Sequence, residues 1–412
     1  MYIVSSFNKR AACHRIGLQA NGNHRRGSVA SPTKQIHETR ELNGRICDVY
    51  YQDFDAKLSF VVPIYNAAYT LEWALGSLFA QNCDGNVEIV CVDDGSTDDS
   101  REIVERFARD PRVMIVSHRE NAGYGAAMND GIATARGEWI GILEPDDYIL
   151  PGMATKLMDA AVHHDCDIVK TPYIREVREH GTLRGDAPKE HLQCSYRHRI
   201  NPRTEVFTIT DPGVVHMLRH HPSIWSAIYR KGFLEENDIK FHEYPGAGWA
   251  DNEFFYDTLL RGHIVYIDEP FYVYREETRQ EEDAFARKNK TLPFDRWQLM
   301  ADIIEHLGIT DEGVLKSHIS KGFTYFNGQY RSNGDDPQVL EAAHAMFDRM
   351  DPALVASEPK INPALKAQFA EYRGIPIKNS RLRFGMGLAS EFAYRVRSNG
   401  LDYAIRCTRE YL

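Results

Sequence analysis

Val87-Glu88-Ile89-Val90-Cys91-Val92-Asp93-Asp94-Gly95-Ser96-Thr97-Asp98 decides the fold, because an apolar, β-branched run ends abruptly in two carboxylates and a Gly-Ser turn. Such a run suits a strand buried on both faces of a parallel sheet. The acids that follow lie where an open α/β sheet opens its ligand crevice. Residues 58–65, 113–116 and 139–143 are further short apolar runs of the same kind. Between the first two strands, Leu71, Ala74, Leu75, Leu78 and Phe79 mark one face of an amphipathic helix. After residue 95, Ser96 or Thr97 is expected to cap a helix whose Asp98 and Asp99 suit its positive end and whose Ile103, Val104 and Phe107 face the sheet. Alternating strands and helices with right-handed crossovers predict a doubly wound, mostly parallel sheet.

A second acidic cluster, Glu144-Pro145-Asp146-Asp147, follows the run at 139–143. Carboxylates with no Lys or Arg beside them repel a bare phosphate and call for a divalent cation between the two. A metal-bridged nucleoside diphosphate is the ligand this chemistry suits. Oxygen ligands favour Mg²⁺ or Mn²⁺. Turn formation alone also explains Asp-Gly and Gly-Ser dipeptides, and that reading stays open.

These residues resemble the signature of the inverting family-2 glycosyltransferases. The resemblance runs from about Lys57 to Arg275. It passes through Pro63-Ile64-Tyr65-Asn66, the Asp-Asp-Gly-Ser turn, Asn121-Ala122-Gly123, Met128-Asn129 and Gly137-Glu138-Trp139-Ile140, then residues 225–231, Asp251 to Phe255, and Tyr272-Val273-Tyr274-Arg275. It implies a GT-A fold and a UDP-sugar donor, with Pro63, Tyr65, Asn66, Asp94, Asp146 and Arg275 on the donor side. Tyr65 is expected to stack near the base and Asp94 to accept from the uracil imide. Asp147, with Asp146, is expected to ligate the cation. Asp251 is expected to be the general base, a task that a positioned carboxylate performs. Glu253 competes for that role, and Trp249 is a candidate to stack on an acceptor sugar. Three departures from the pattern stand out: Glu144 in place of an aspartate, Ala250 in place of the first acid, and Met128 where a basic residue is common.

The 412 residues carry a net charge of −10. Residues 1–45 hold eight Lys or Arg against two acids, and residues 366–412 hold nine against four, so the middle of the chain is strongly acidic. An acidic body argues against nucleic acid as a partner. The basic ends suit peripheral contact with an anionic membrane, especially where Leu382, Phe384, Met386, Leu388, Phe392 and Tyr394 are interleaved with arginines. No run reaches the roughly 20 apolar residues of a membrane span, and the seven scattered cysteines suit reduced thiols, so a cytoplasmic enzyme, peripheral to the inner face of the membrane, is expected.

The expected organisation is a basic, mobile or loosely docked arm over 1–56, a catalytic domain over 57–275 and a helical region over 276–412. Within the catalytic domain, 57–150 is the nucleotide-binding half and 151–275 the acceptor half. The expected activity is metal-dependent transfer of a sugar from a nucleotide-sugar donor to a glycan or lipid-linked acceptor, with inversion, in cell-surface polysaccharide or glycoconjugate synthesis. Two alternatives remain at this level: a catalytically silent sugar-nucleotide-binding module, and a nucleotidyltransferase. The second would carry a glycine-rich, basic loop after the first strand, which residues 65–70 do not supply.

Overall fold

The computed structural model describes residues 35–81, 86–177, 192–245, 249–276, 279–376, 381–401 and 403–405. Its strands in chain order are β1 (Ile36–Leu42), β2 (Arg45–Tyr51), β3 (Leu58–Ile64), β4 (Val87–Asp93), β5 (Val113–Ser117), β6 (Trp139–Ile142) and β7 (Tyr148–Ile149). They continue with β8 (Ile168–Lys170), β9 (Tyr173–Val177), β10 (Leu192–Ser195), β11 (Val206–Phe207), β12 (Ala227–Arg230), β13 (Ile264–Tyr266) and β14 (Tyr272–Glu276).

The large sheet runs in the order β1-β2-β5-β4-β3-β6-β12-β8-β13-β11. Its centre, β5-β4-β3-β6, is parallel, and every residue of β3 and β4 is buried, which is why those strands read as mostly apolar runs. From β3 the chain winds to β4 and β5 on one side, then returns to place β6 on the other. That reversal is a topological switch point, and the carboxyl ends of β3 and β6 flank it. Residues 65–66 and 144–147 follow those two ends, so the topology alone brings the two motifs together.

The amphipathic helix between β3 and β4 spans Leu71–Phe79 and buries Leu71, Ala74, Leu75 and Leu78. The next helix, Ser100–Phe107, starts later than Ser96 or Thr97 would set it. Those two residues are drawn instead to Asn66: its side-chain oxygen accepts from the Thr97 amide at 2.7 Å and the Asp98 amide at 3.2 Å, and its own amide donates to Ser96 Oγ at 3.1 Å. Asn66 adopts a left-handed backbone (φ 52°) to make this clasp.

The expected arm ends earlier than residue 56. Residues 36–51 form a hairpin, and β2 joins the large sheet antiparallel to β5. Alternating burial along both strands fits an edge hairpin with one face packed, a pattern that the basic residues concealed in the sequence. The rest of that arm, residues 1–34, lies outside the described residues.

A small sheet, β10-β9-β14-β7, lies beside the switch point. Beyond it come helices Arg279–Lys288, Leu292–His306, Glu312–Asn333, Pro337–Asp348, Pro352–Ser357, Pro363–Arg373 and Arg381–Asn399. Three start on the same device. Asp336, Asp351 and Asn362 accept from the backbone two residues on, and a proline occupies the first helical position. Trp297, Phe323, Phe326, Phe347 and Phe369 form the buried core of this region.

Candidate functional site

The acidic loop after β6 places its three carboxylates differently. Asp147 is 1% exposed; its Oδ2 accepts from the Tyr272 hydroxyl at 2.8 Å and its Oδ1 from the Arg275 amide at 2.7 Å. The pairing of β14 with β7 enforces this, since Val273 lies opposite Tyr148. Asp147 is therefore turned inward and anchors the loop, a correction to the expectation that it ligates a cation. Asp146 is exposed, and Glu144 is half-buried with Oε1 accepting from the Tyr124 hydroxyl at 2.6 Å. The open acidic pair is thus Glu144 and Asp146.

Glu144 is pushed up to about 8. Burial is the main cause, the Tyr124 hydroxyl opposes it, and the charges of Asp146 and Asp251 add to it. Asp251 consequently belongs to the same acidic site, although more than a hundred residues separate it from Glu144. Loss of solvation raises the Asp146 carboxyl above the ordinary aspartate range, and the nearby Arg275 charge partly offsets that shift. The Arg275 guanidinium sits 4.8 Å from the Trp73 ring centroid and 5.2 Å from that of Tyr148, an arrangement that fixes the charge beside the loop. Tyr65, at the end of β3, is 41% exposed, a surface position suited to stacking. Pro63, the penultimate residue of β3, pairs opposite Val92.

Asp94 departs from its expected role. At 2% exposure its Oδ1 lies 2.7 Å from His118 Nδ1 and accepts from the Ala122 amide at 2.8 Å; its Oδ2 accepts from Asn121 Nδ2 and the Gly123 amide, each at 2.9 Å. Four protein donors leave this carboxylate holding the 121–123 loop rather than facing a base. Gly123 takes φ +97°, and a Cβ on Gly125 would lie 2.1 Å from the His242 carbonyl, so both glycines answer to local geometry. Met128, where the resemblance has a basic residue, is fully buried in the core.

His118 continues inward, its Nε2 3.1 Å from Asp130 Oδ2. Burial alone would lower its proton affinity, but hydrogen bonds to Asp130 and Asp94 outweigh burial and raise it to about 9. Asp130 is also gripped by Arg45 and Asn43 of the edge hairpin, and Arg45 extends to Glu243 at 2.7 Å. Cys47, His118 and Asp130 lie close enough together to ligate a metal. Protein partners already fill that set: the Arg45 guanidinium covers Asp130, both ring nitrogens face carboxylates, and burial keeps Cys47 a thiol, raised to about 11. It reads as a buried charge network beneath the 121–123 loop. His118, Asp130 and Arg45 escaped the sequence reading because isolated polar residues give no periodic signal.

Asp251 opens the helix Asp251–Arg261, with the buried Ala250 as its N-cap residue. Its carboxyl is pushed up to about 6, chiefly by burial, with Lys321 opposing. Glu253, two residues on, points elsewhere: it is 5% exposed and pairs with Arg296 at 3.3 Å. That ion pair ties the helix to Leu292–His306 and turns Glu253 toward Arg296. Trp249 stacks on Phe285 (5.9 Å, 12°) and leans on Tyr325, so its ring serves the packing against the helical region.

Residues 59–226 match the sequence profile of glycosyl transferase family 2. Over that stretch the chain is similar to the family-2 glycosyltransferases. Similar proteins include the uncharacterized glycosyltransferase EpsJ of Bacillus subtilis, 29% identical over 229 residues (53% of this chain, 61% of EpsJ). The putative glycosyltransferase EpsH of the same organism is 30% identical over 224 residues (53% and 60%), and the succinoglycan biosynthesis protein ExoO of Rhizobium meliloti is 29% identical over 186 (45% and 51%). The match thus spans about three fifths of the length of EpsJ and EpsH. In structure the chain is similar to S. aureus TarS 1–349, with a TM-score of 0.59 at 20% identity, covering 77% of this chain and 87% of TarS 1–349. The fold is GT-A, with a helical C-terminal region. Among the described residues, no helix is long and apolar enough to cross a membrane.

Proposed function

We propose that this family-2 domain transfers a sugar, with inversion, from a UDP-sugar to a hydroxyl of a glycan or lipid-linked acceptor, in polysaccharide or glycoconjugate synthesis. The observation that carries this is the convergence of Glu144, Asp146, Arg275 and Asp251 at the switch point of the sheet. TarS, of the same fold, has been crystallised with UDP and with UDP-GlcNAc, which supports a uridine donor.

The cluster of carboxylates also fits a divalent cation. Glu144 holds its proton unusually tightly because it is buried and, to a lesser degree, because Asp146 and Asp251 lie near it, a strain that bound Mn²⁺ or Mg²⁺ would relieve. Asp146, with Glu144, would hold that ion, which would neutralise charge on the leaving diphosphate. Arg275 adds a fixed positive charge on the same side. Asp251 takes the proton from the acceptor hydroxyl as it attacks the anomeric carbon. Asp147, Asp94 and Asn66 hold the surrounding loops in place. The test is turnover: UDP should be released from one or more of a panel of UDP-sugars when Mn²⁺ is present, and not in EDTA. Binding without turnover of any donor would favour the silent binding module.

The terminal helix bears on location. Its inner side is docked, with Tyr394 donating to the Arg197 carbonyl at 2.8 Å, Glu391 paired to Arg199 and Asn399 accepting from the Cys194 amide. Leu382, Met386, Leu401 and Ile405 remain exposed on or just beyond it. With Arg381 and Arg397, also exposed, they suit peripheral contact with anionic lipid. Leu382→Glu with Met386→Glu should abolish co-sedimentation with anionic vesicles at low salt while leaving the melting temperature within a few degrees. Equal sedimentation of both proteins would remove the membrane from the account.

A further inference from the structure

The helix Glu312–Asn333 lies outside the family match, yet it reaches the residue proposed as base. Tyr325 donates from its hydroxyl to Asn252 Oδ1 at 2.7 Å, and Asn252 Nδ2 donates in turn to the Trp249 carbonyl at 3.1 Å and to Asp251 Oδ1 at 3.3 Å. Asn252 is 2% exposed, so this chain of bonds is internal. One turn earlier on the same helix, Lys321 is 5% exposed. It donates to the His220 carbonyl at 2.9 Å, among the rings of Phe255, Tyr256 and Tyr325. Phe255 and Tyr256 belong to the helix that Asp251 opens.

Burying an ammonium costs several kcal/mol unless something compensates. Among the described residues Lys321 forms no ion pair, and the carboxylate whose charge it feels is that of Asp251. Other groups face Asp251 as well. Glu144 and the Tyr124 hydroxyl approach from the donor half, Glu253 lies on the same helix with Arg296 beside it, and Tyr325 stands behind Asn252. Burial presses Asp251 toward its neutral form, and Lys321 opposes that shift.

We infer that the helical extension completes the base: Lys321 keeps Asp251 ionised, and Tyr325 orients it through Asn252. Both are positioning residues that reach the acceptor through Asp251, and the inference rests on the proposed role of that residue. It assigns the extension a part in the reaction, where a family-2 domain alone would leave its base pressed toward the neutral form.

The test begins without substrate. In protein labelled with ¹³C at the aspartate carboxyl, the Asp251 signal, identified by its loss in Asp251→Asn, is followed against pH. Wild type should titrate near 6. Lys321→Met should move the midpoint upward by about one unit, a tenfold change in proton affinity, and Lys321→Arg should restore it. If Lys321→Met fails to fold on thermal melting, Lys321→Gln, which keeps a donor for the His220 carbonyl, gives the same reading. Tyr325→Phe should lower UDP-sugar turnover by about 3- to 10-fold with UDP affinity unchanged, the size of one lost hydrogen bond. A midpoint that stays put in the folded Lys321 variants overturns the inference. A shifted midpoint in a protein that binds no UDP would leave the inference standing and fail the donor assignment alone.

Discussion

Asp251→Asn is expected to abolish transfer while leaving UDP binding intact. The amide keeps the shape at the start of the helix and can still meet Asn252, but it cannot take a proton. Loss of a general base costs about 10²–10⁴ in rate. The pH profile carries a second signature. The carboxyl of Asp251 is pushed up to about 6, and it works only when ionised. Turnover should therefore be full above that value and fall as pH drops through it, well above the range in which an ordinary aspartate titrates. Glu253→Gln should behave differently. Its carboxylate is buried against Arg296, so the variant should lower the melting temperature and leave the rate per folded molecule nearly unchanged. A rate collapse in Glu253→Gln beside an active Asp251→Asn would exchange the two assignments.

Asp146→Ala and Asp147→Ala, adjacent in sequence, should fail in opposite ways. Asp146 is exposed beside Arg275, so its removal should cost little stability but weaken Mn²⁺-dependent UDP binding by at least about 100-fold, more than loss of an outer-shell partner costs. Asp147 holds the Tyr272 hydroxyl and the Arg275 amide from inside. Leaving those donors buried and unmet costs about 1–3 kcal/mol, read as a lower melting temperature, with a smaller effect on Mn²⁺ binding because the loop loosens. Electron paramagnetic resonance of added Mn²⁺, with melting curves on the same samples, separates the two. If Asp147→Ala alone releases Mn²⁺, the loop has been read inside out.

The central strands were legible because burial on both faces leaves them mostly apolar, with Ser59 in β3 and Glu88 inside β4 as polar exceptions, paired to each other at 2.6 Å. The site motifs were legible through their place after those strands. Which carboxylate of Asp146 and Asp147 faces outward was not, because that depends on β14 pairing with β7 from more than a hundred residues away. Asp94 misled for the same reason: the donors that close around it come from His118 and the 121–123 loop, and only the folded chain brings them there. The edge hairpin was hidden by its charge. Arg45, counted in the sequence as part of a basic arm, is spent on Asp130 and Glu243 inside the fold. The region over 276–412 was expected to be helical, but nothing in its sequence marked Lys321 and Tyr325 as bearing on Asp251.

The central claim is that a uridine diphosphate is held here through a divalent cation on an acidic loop. Calorimetric titration of UDP into the full chain, once with Mn²⁺ and once with EDTA, tests it most directly. The account predicts saturable binding with Mn²⁺ and affinity at least tenfold weaker in EDTA. Equal affinity in the two titrations, or no binding in either, would contradict it.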